Sequence, residues 1–199
     1  MGSDTTSPSL LRRVRDAGDA TAWREFDARY GELILRFGRR CGLQHSDAED
    51  VRQMVMQKLS RALRSFEYEP GRGRFRSFLW CIVRNELARH KGRPRVAPRR
   101  VSTDGAWLSE AAAVESAEQR WEEEWTHHHL RLAMRDIRER FDPRSVQVFE
   151  ALLAGSSVNT IAREFRMTPD AVHKVKQRVR NRLKHLIAAQ IRDEDEPHG

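Results

Sequence analysis

The chain has 199 residues, enough for one large or two small domains, and at 39% hydrophobic residues two modest cores suit it better than one large core. Its net charge of +8 and pI of about 10.3 favour an anionic polymer or surface as partner. No apolar run approaches a membrane span and the N-terminus, MGSDTTSPSLLRR, has no signal-peptide core. A cytoplasmic protein without membrane insertion is therefore expected. Cys41 and Cys81 both sit in apolar helical patterns and are read as reduced, buried thiols, not as a disulfide framework or metal site. Strand-like alternation is rare, so the expected fold is all-α: an N-terminal helical bundle and a C-terminal helix-turn-helix domain joined by a flexible linker.

Ser7-Pro8-Ser9 can start a first helix with Leu10, Leu11 and Val14 inward, and Gly18-Asp19 interrupts it. From Ala20 to Cys41, Trp23, Phe26, Tyr30, Leu33, Ile34 and Phe37 recur at three and four, a core-facing stripe that Gly42 stops. Ser46 and Glu49 have capping-box spacing and open a helix with Val51, Val55, Leu59, Ala62 and Leu63 inward. Asp47, Glu49 and Asp50 crowd its first turn, where acids complement the helix dipole. Gln53, Met54 and Gln57 continue the outer side, which could dock on another protein.

A turn at residues 69–74 leads to a helix, Phe75 to Lys91, that buries Phe75, Phe78, Leu79, Ile82, Val83 and Leu87. From Arg72 to Arg100 the bases Arg72, Arg74, Arg76, Arg84, Arg89, Lys91, Arg93, Arg95, Arg99 and Arg100 face one acid, Glu86. Trp80 falls on the polar side, beside Arg76, Ser77, Arg84 and Asn85. An indole among arginines suits stacking on an unpaired base, worth ~1–3 kcal/mol per base; packing on a neighbouring helix is the equal alternative.

Residues 94–126 read as an acidic linker. Pro94 and Pro98 stop the helix, and Asp104, Glu110, Glu115, Glu118, Glu122, Glu123 and Glu124 then face Arg120 alone. Such a block is generally solvated and flexible; lying over a basic groove in imitation of nucleic acid is the alternative. Residues 119–141 can be partly helical. His127-His128-His129 is not read as a metal site, because adjacent residues do not share a helix face.

Asp142-Pro143 caps a helix with Val146, Val148, Phe149, Leu152 and Leu153 inward, and Gly155 ends it. Ser156 to Lys184 then reads as two helices and a turn. Val158, Ile161, Ala162 and Phe165 form one apolar face, Thr168 and Pro169 begin the second helix, and Val172, Val175, Val179, Leu183 and Leu186 line its buried side. Its outer side carries Asp170, His173, Lys174, Gln177, Arg178 and Asn181, with Ala171 beside them. Long donors on a helix held crosswise on a shorter one are what major-groove reading needs. The tail, 191–199, is acidic and expected to fray.

Three stretches together resemble a bacterial RNA polymerase sigma factor of the extracytoplasmic-function type. DAEDVRQMVMQKLSRALRSF (Asp47–Phe66) is similar to the segment that docks on the clamp helices of the polymerase β′ subunit. GRFRSFLWCIVRNELARHKGR (Gly73–Arg93) is similar to the segment that melts and holds the −10 element. DPRSVQVFEALLAGSSVNTIAREFRMTPDAVHKVKQRVRNRLK (Asp142–Lys184) is similar to the −35-reading domain. The resemblance implies a region 2-like domain at 1–93, the linker at 94–126, a region 4-like domain at 127–190 and the tail at 191–199. It implies core polymerase (β′ clamp helices and β flap), promoter DNA and an anti-sigma factor as partners.

By the same resemblance, Asp47, Asp50, Gln53, Met54 and Gln57 would bind polymerase. Arg74, Phe75, Arg76, Ser77, Trp80, Arg84, Asn85 and Arg89 would lie at or near the −10 strand. Thr168, Asp170, Ala171, His173, Lys174, Gln177, Arg178 and Asn181 would face the −35 duplex. Met54-Val55-Met56 departs from the acid and aromatic common in the family, and Phe78 replaces the usual Trp. Arg166 stands where many helix-turn-helix units have a left-handed Gly, at a cost of roughly 1 kcal/mol. No catalytic constellation, metal site or cofactor is expected. The rival functions are a stand-alone dimeric helix-turn-helix regulator and a protein-binding adaptor.

Overall fold

The computed structural model describes residues 10–16, 18–65, 75–90, 92 and 107–195, and every regular element among them is helical. In chain order these are α1 (Leu10–Arg13), α2 (Ala20–Arg40), α3 (His45–Ala62) with a 3₁₀ turn (Leu63–Ser65), α4 (Phe75–His90), α5 (Trp107–Arg140), α6 (Pro143–Leu153), α7 (Val158–Glu164) and α8 (Pro169–Asp195). None is long and apolar enough to cross a membrane. Two compact units result. One comprises residues 1–126 with 193–199, the other residues 127–192.

In the N-terminal unit the expected stripes are buried. Phe26, Tyr30, Leu33, Ile34 and Phe37 of α2 meet Val51, Val55 and Leu59 of α3 and Phe75, Leu79, Val83 and Leu87 of α4 in one core. Asp19 caps α2 by accepting from the Ala22 N–H at 2.8 Å, and that bond holds its carboxyl below the usual range. At the α2–α3 crossing, a Cβ on Gly38 would lie 3.3 Å from the Ala48 Cβ, so only glycine fits without a shift. Gly42, at φ +87°, takes the left-handed turn that ends α2.

Several expectations are corrected here. The capping box of Ser46 and Glu49 does not form: α3 begins at His45, its cap position Gln44 makes no side-chain cap bond, and the Glu49 carboxylate instead takes the Arg52 Nε–H at 2.7 Å. Cys81 is exposed and Cys41 half-buried. Part of the expected flexible linker is helix. Residues 107–126 belong to α5, and Trp121 and Trp125 are buried in the N-terminal core. Two indoles bury so much apolar surface that they outweigh the solvation of the glutamates between them. The expected fraying of the tail does not hold for its first residues. Tyr30 Oη donates to Glu194 Oε1 at 2.8 Å, and Asp193 pairs with Arg29 at 2.7 Å.

The C-terminal unit packs the rest of α5 with α6, α7 and α8 around Ala133, Ile137, Val148, Ile161, Val172 and Val179. His128 and His129 are buried, and His129 Nδ1 is 2.8 Å from the Gln190 side-chain oxygen. Asp142 caps α6 by accepting from the N–H groups of Arg144 and Ser145. Leu153 is an exception to the expected α6 stripe, being 65% exposed at the last helical position.

Candidate polymerase and nucleic-acid interfaces

The outer row of α3 is open. Asp50, Gln53, Met54 and Gln57, at helical spacing, line a shallow groove together with His90 from the end of α4. Asp47 belongs to the same edge, its Oδ1 3.7 Å from His90 Nε2. Behind this row, Glu86 of α4 is fully buried and its carboxylate takes Lys58 of α3 and, at 3.2 Å, Arg89. A buried carboxylate with two cations fixes α3 against α4, since an unpaired buried charge is costly. His90 and Glu86 were not among the predicted site residues. Glu86 had a signal in the sequence, as the lone acid in a basic stretch.

The predicted −10 residues divide. Arg74 lies outside the described residues. Phe75 is fully buried against Phe26 and Tyr30, so it serves the core and does not reach the surface. Trp80, expected on the polar side, is only 6% exposed, edge-on to Phe37 and stacked on Trp121 at 5.6 Å. The neighbour is a helix far along the chain, the second of the two alternatives for this indole. Arg84 reaches over the Trp80 ring at 6.0 Å, and Arg76 pairs with Glu122 at 2.6 Å. Ser77 and Arg89 are exposed and Asn85 is half-buried. With Trp80 and Phe75 covered, the open side of α4 is narrow and polar.

The helix-turn-helix is built as its residues dictate. Ser157 caps α7, accepting from the Thr160 N–H at 3.1 Å, and the Thr168 hydroxyl accepts from the Ala171 N–H at 3.2 Å at the start of α8. Pro169 occupies the first turn, where its missing N–H is no loss. Between the helices Arg166 has φ +49°, the left-handed conformation anticipated for that position. Arg144 of α6 donates to the Phe165 carbonyl and so satisfies an orphan acceptor of the turn.

The buried stripe of α8 leaves Asp170, His173, Lys174, Gln177 and Asn181 exposed together, with Thr168 at the start and Ala171 on the flank. Gln177 Nε2 donates to Asn181 Oδ1 at 3.0 Å. Arg178, predicted in the same row, turns to the side: its Nη2 donates to Ser145 Oγ at 2.7 Å and its guanidinium lies over Phe141 at 5.9 Å. That contact braces α8 on α6, a role that helical spacing alone does not reveal. Nearby, Asp142 is held below the usual carboxylate range, first by its hydrogen bond with the Ser145 side chain and then by that residue's backbone N–H.

Compared with known proteins, residues 26–95 match the family model of sigma-70 region 2. The N-terminal unit carries a sigma-70 region 2. The match spans most of α2 and all of α3 and α4. No curated protein is significantly similar to the chain. A solved structure described as CnrH in complex with the cytosolic domain of CnrY is similar at 21% identity, over 92% of this chain and 97% of that one. Its TM-score of 0.35 is too low to carry an argument. Within region 2, the open face of α3 and the narrow face of α4 are distinct surfaces, one with an exposed row and the other covered.

Proposed function

We propose that this chain is a sigma factor of the extracytoplasmic-function type, acting in the cytoplasm. One observation carries the reading: a sigma-70 region 2 and a helix-turn-helix unit with an open row of donors occur in one chain. In this reading the α3 row, Asp47, Asp50, Gln53, Met54 and Gln57, binds the β′ clamp helices of core polymerase, and the C-terminal unit also meets the β flap. Lys174 is the candidate for a guanine edge and Gln177 for an adenine edge of the −35 duplex, with His173, Asn181, Asp170, Thr168 and Ala171 around them. Arg178 contributes by holding α8 on α6. Arg180, Arg182 and Lys184 bind phosphate, which gives affinity without sequence information.

On α4, Ser77, Arg76, Arg84, Asn85 and Arg89 meet the −10 strand as the duplex opens. An unstacked base gains contacts there that it lacks in the duplex, and melting becomes less costly. An anti-sigma protein that occupies these same faces completes the proposal.

Pull-down of purified bacterial core polymerase tests it, comparing the native chain with Asp50→Ala/Gln53→Ala. Both side chains are exposed, so the double change should leave the fold intact and weaken capture. If core polymerase is ignored while a palindromic duplex is bound with a clear salt slope, the chain is a stand-alone regulator instead.

A further inference from the structure

The first part of α5 contributes more than core to the N-terminal unit. Trp121 lies on Trp80 with rings 28° apart, and Glu122 occupies the Arg76 guanidinium at 2.6 Å. Glu123 and Glu124 hold both terminal nitrogens of Arg40, at 2.7 and 3.1 Å. A flat ring on an aromatic side chain and anionic oxygens on nearby arginines are the two contacts that a single strand of nucleic acid makes. We propose that residues 116–126 are a built-in mimic of single-stranded DNA, which occupies the Trp80–Arg76 surface of the free protein and leaves it when a strand is taken up.

Two features make the cover displaceable. Two of its ion pairs are half-exposed, with Arg76 at 32%, Glu122 at 44% and Glu123 at 59%, so water and salt compete for them, while Glu124 is buried at 5%. Its fit is also incomplete. Arg84 Nε is buried with no acceptor among the described residues. Helix 116–126 supplies a ring and carboxylates but leaves this N–H without an oxygen. A strand, rich in acceptor oxygens, could satisfy it. The bases of a strand would then replace one indole on Trp80, and its phosphates would replace the glutamates on Arg76 and Arg40.

The inference rests on the sigma reading for the identity of the strand, but its test can fail separately. Fluorescence anisotropy of a labelled single-stranded DNA oligonucleotide at low salt would compare three full-length chains: the native one, Glu122→Gln/Glu123→Gln/Glu124→Gln, and a charge-matched Glu25→Gln/Asp27→Asn/Glu32→Gln. The control removes as much charge and takes one carboxylate partner each from Arg13, Arg52 and Arg36 elsewhere on the same unit. Releasing the cover should tighten binding about three- to tenfold beyond the control, and adding Arg76→Ala should cancel the gain. Glu122→Gln alone, at a half-exposed pair, should gain about twofold should the triple change disturb folding. Equal affinities for the triple change and its control, or no strand binding by any chain, would overturn the cover while leaving polymerase capture untouched. Unmasked strand binding by a chain that core polymerase ignores would keep the cover and sink the sigma reading.

Discussion

Helices α4 and α8 both carry basic residues opposite an apolar stripe, yet they present them in opposite ways. On α8 the outer row is open from Asp170 to Asn181, and only Arg178 is drawn aside, to Ser145. On α4 the corresponding side is mostly occupied: Trp80 by Trp121 and Phe37, Arg76 by Glu122. The difference shows that amphipathic periodicity reports which face is apolar, not whether the polar face is free. A long-range partner decides the second question.

The largest effect should come from the side of the comparison that is covered. Trp121→Ala removes a fully buried indole packed against Phe37, Trp80 and Trp125 and should cost about 3–5 kcal/mol in urea unfolding of the N-terminal unit. A loss under about 1 kcal/mol would mean that the α5 helix is only a loosely held strap. On the open side, Lys174→Ala or Gln177→Ala should leave stability unchanged and weaken binding of the −35 duplex by about 1–3 kcal/mol each with relaxed sequence preference. Arg180→Ala, at a position proposed to bind phosphate, should lower affinity evenly across sequences and reduce the salt slope instead.

Smaller effects sharpen the local geometry of each unit. Arg166→Gly should stabilise the C-terminal unit by up to about 1 kcal/mol, because glycine relieves the φ of +49°; a loss on unfolding would point to an unrecognised contact of the arginine. The caps Asp19 and Asp142 have folded pKa values below their unfolded ones, so their stabilisation is present above the unfolded pKa and is lost as pH falls through the folded value. Thermal unfolding of Asp142→Asn should therefore differ most from the native chain above about pH 4 and converge with it in stronger acid.

How legible this was in the sequence depends on range. The stripes of α2, α3, α7 and α8, the caps at Asp142 and Thr168, and the left-handed turn at Arg166 are encoded within a few residues of themselves. So is the open row of α8, for which nothing among the described residues competes. The Ser46–Glu49 cap failed although its spacing was right, since Arg52 offers Glu49 a charged partner closer to hand. Phe75 is core as its place in the stripe predicts, though the resemblance also put it near the −10 strand, and Trp80 takes the packing alternative because α4 buries a wider face than one stripe, including Glu86. Arg178 was read by its angle on the helix, and its length let it reach Ser145.

The sequence by itself determined that this protein is helical, which apolar stripes its helices bury, and which residues of the C-terminal helix stand outward, because those properties follow from hydrogen bonding and periodicity over a few turns. Only the tertiary structure decided that an acidic stretch built like a solvated linker would lay two tryptophans in the N-terminal core and its glutamates on Arg76 and Arg40. Burial of two indoles is a gain the local sequence cannot display, for it exists only where another helix offers the aromatic rings to receive them.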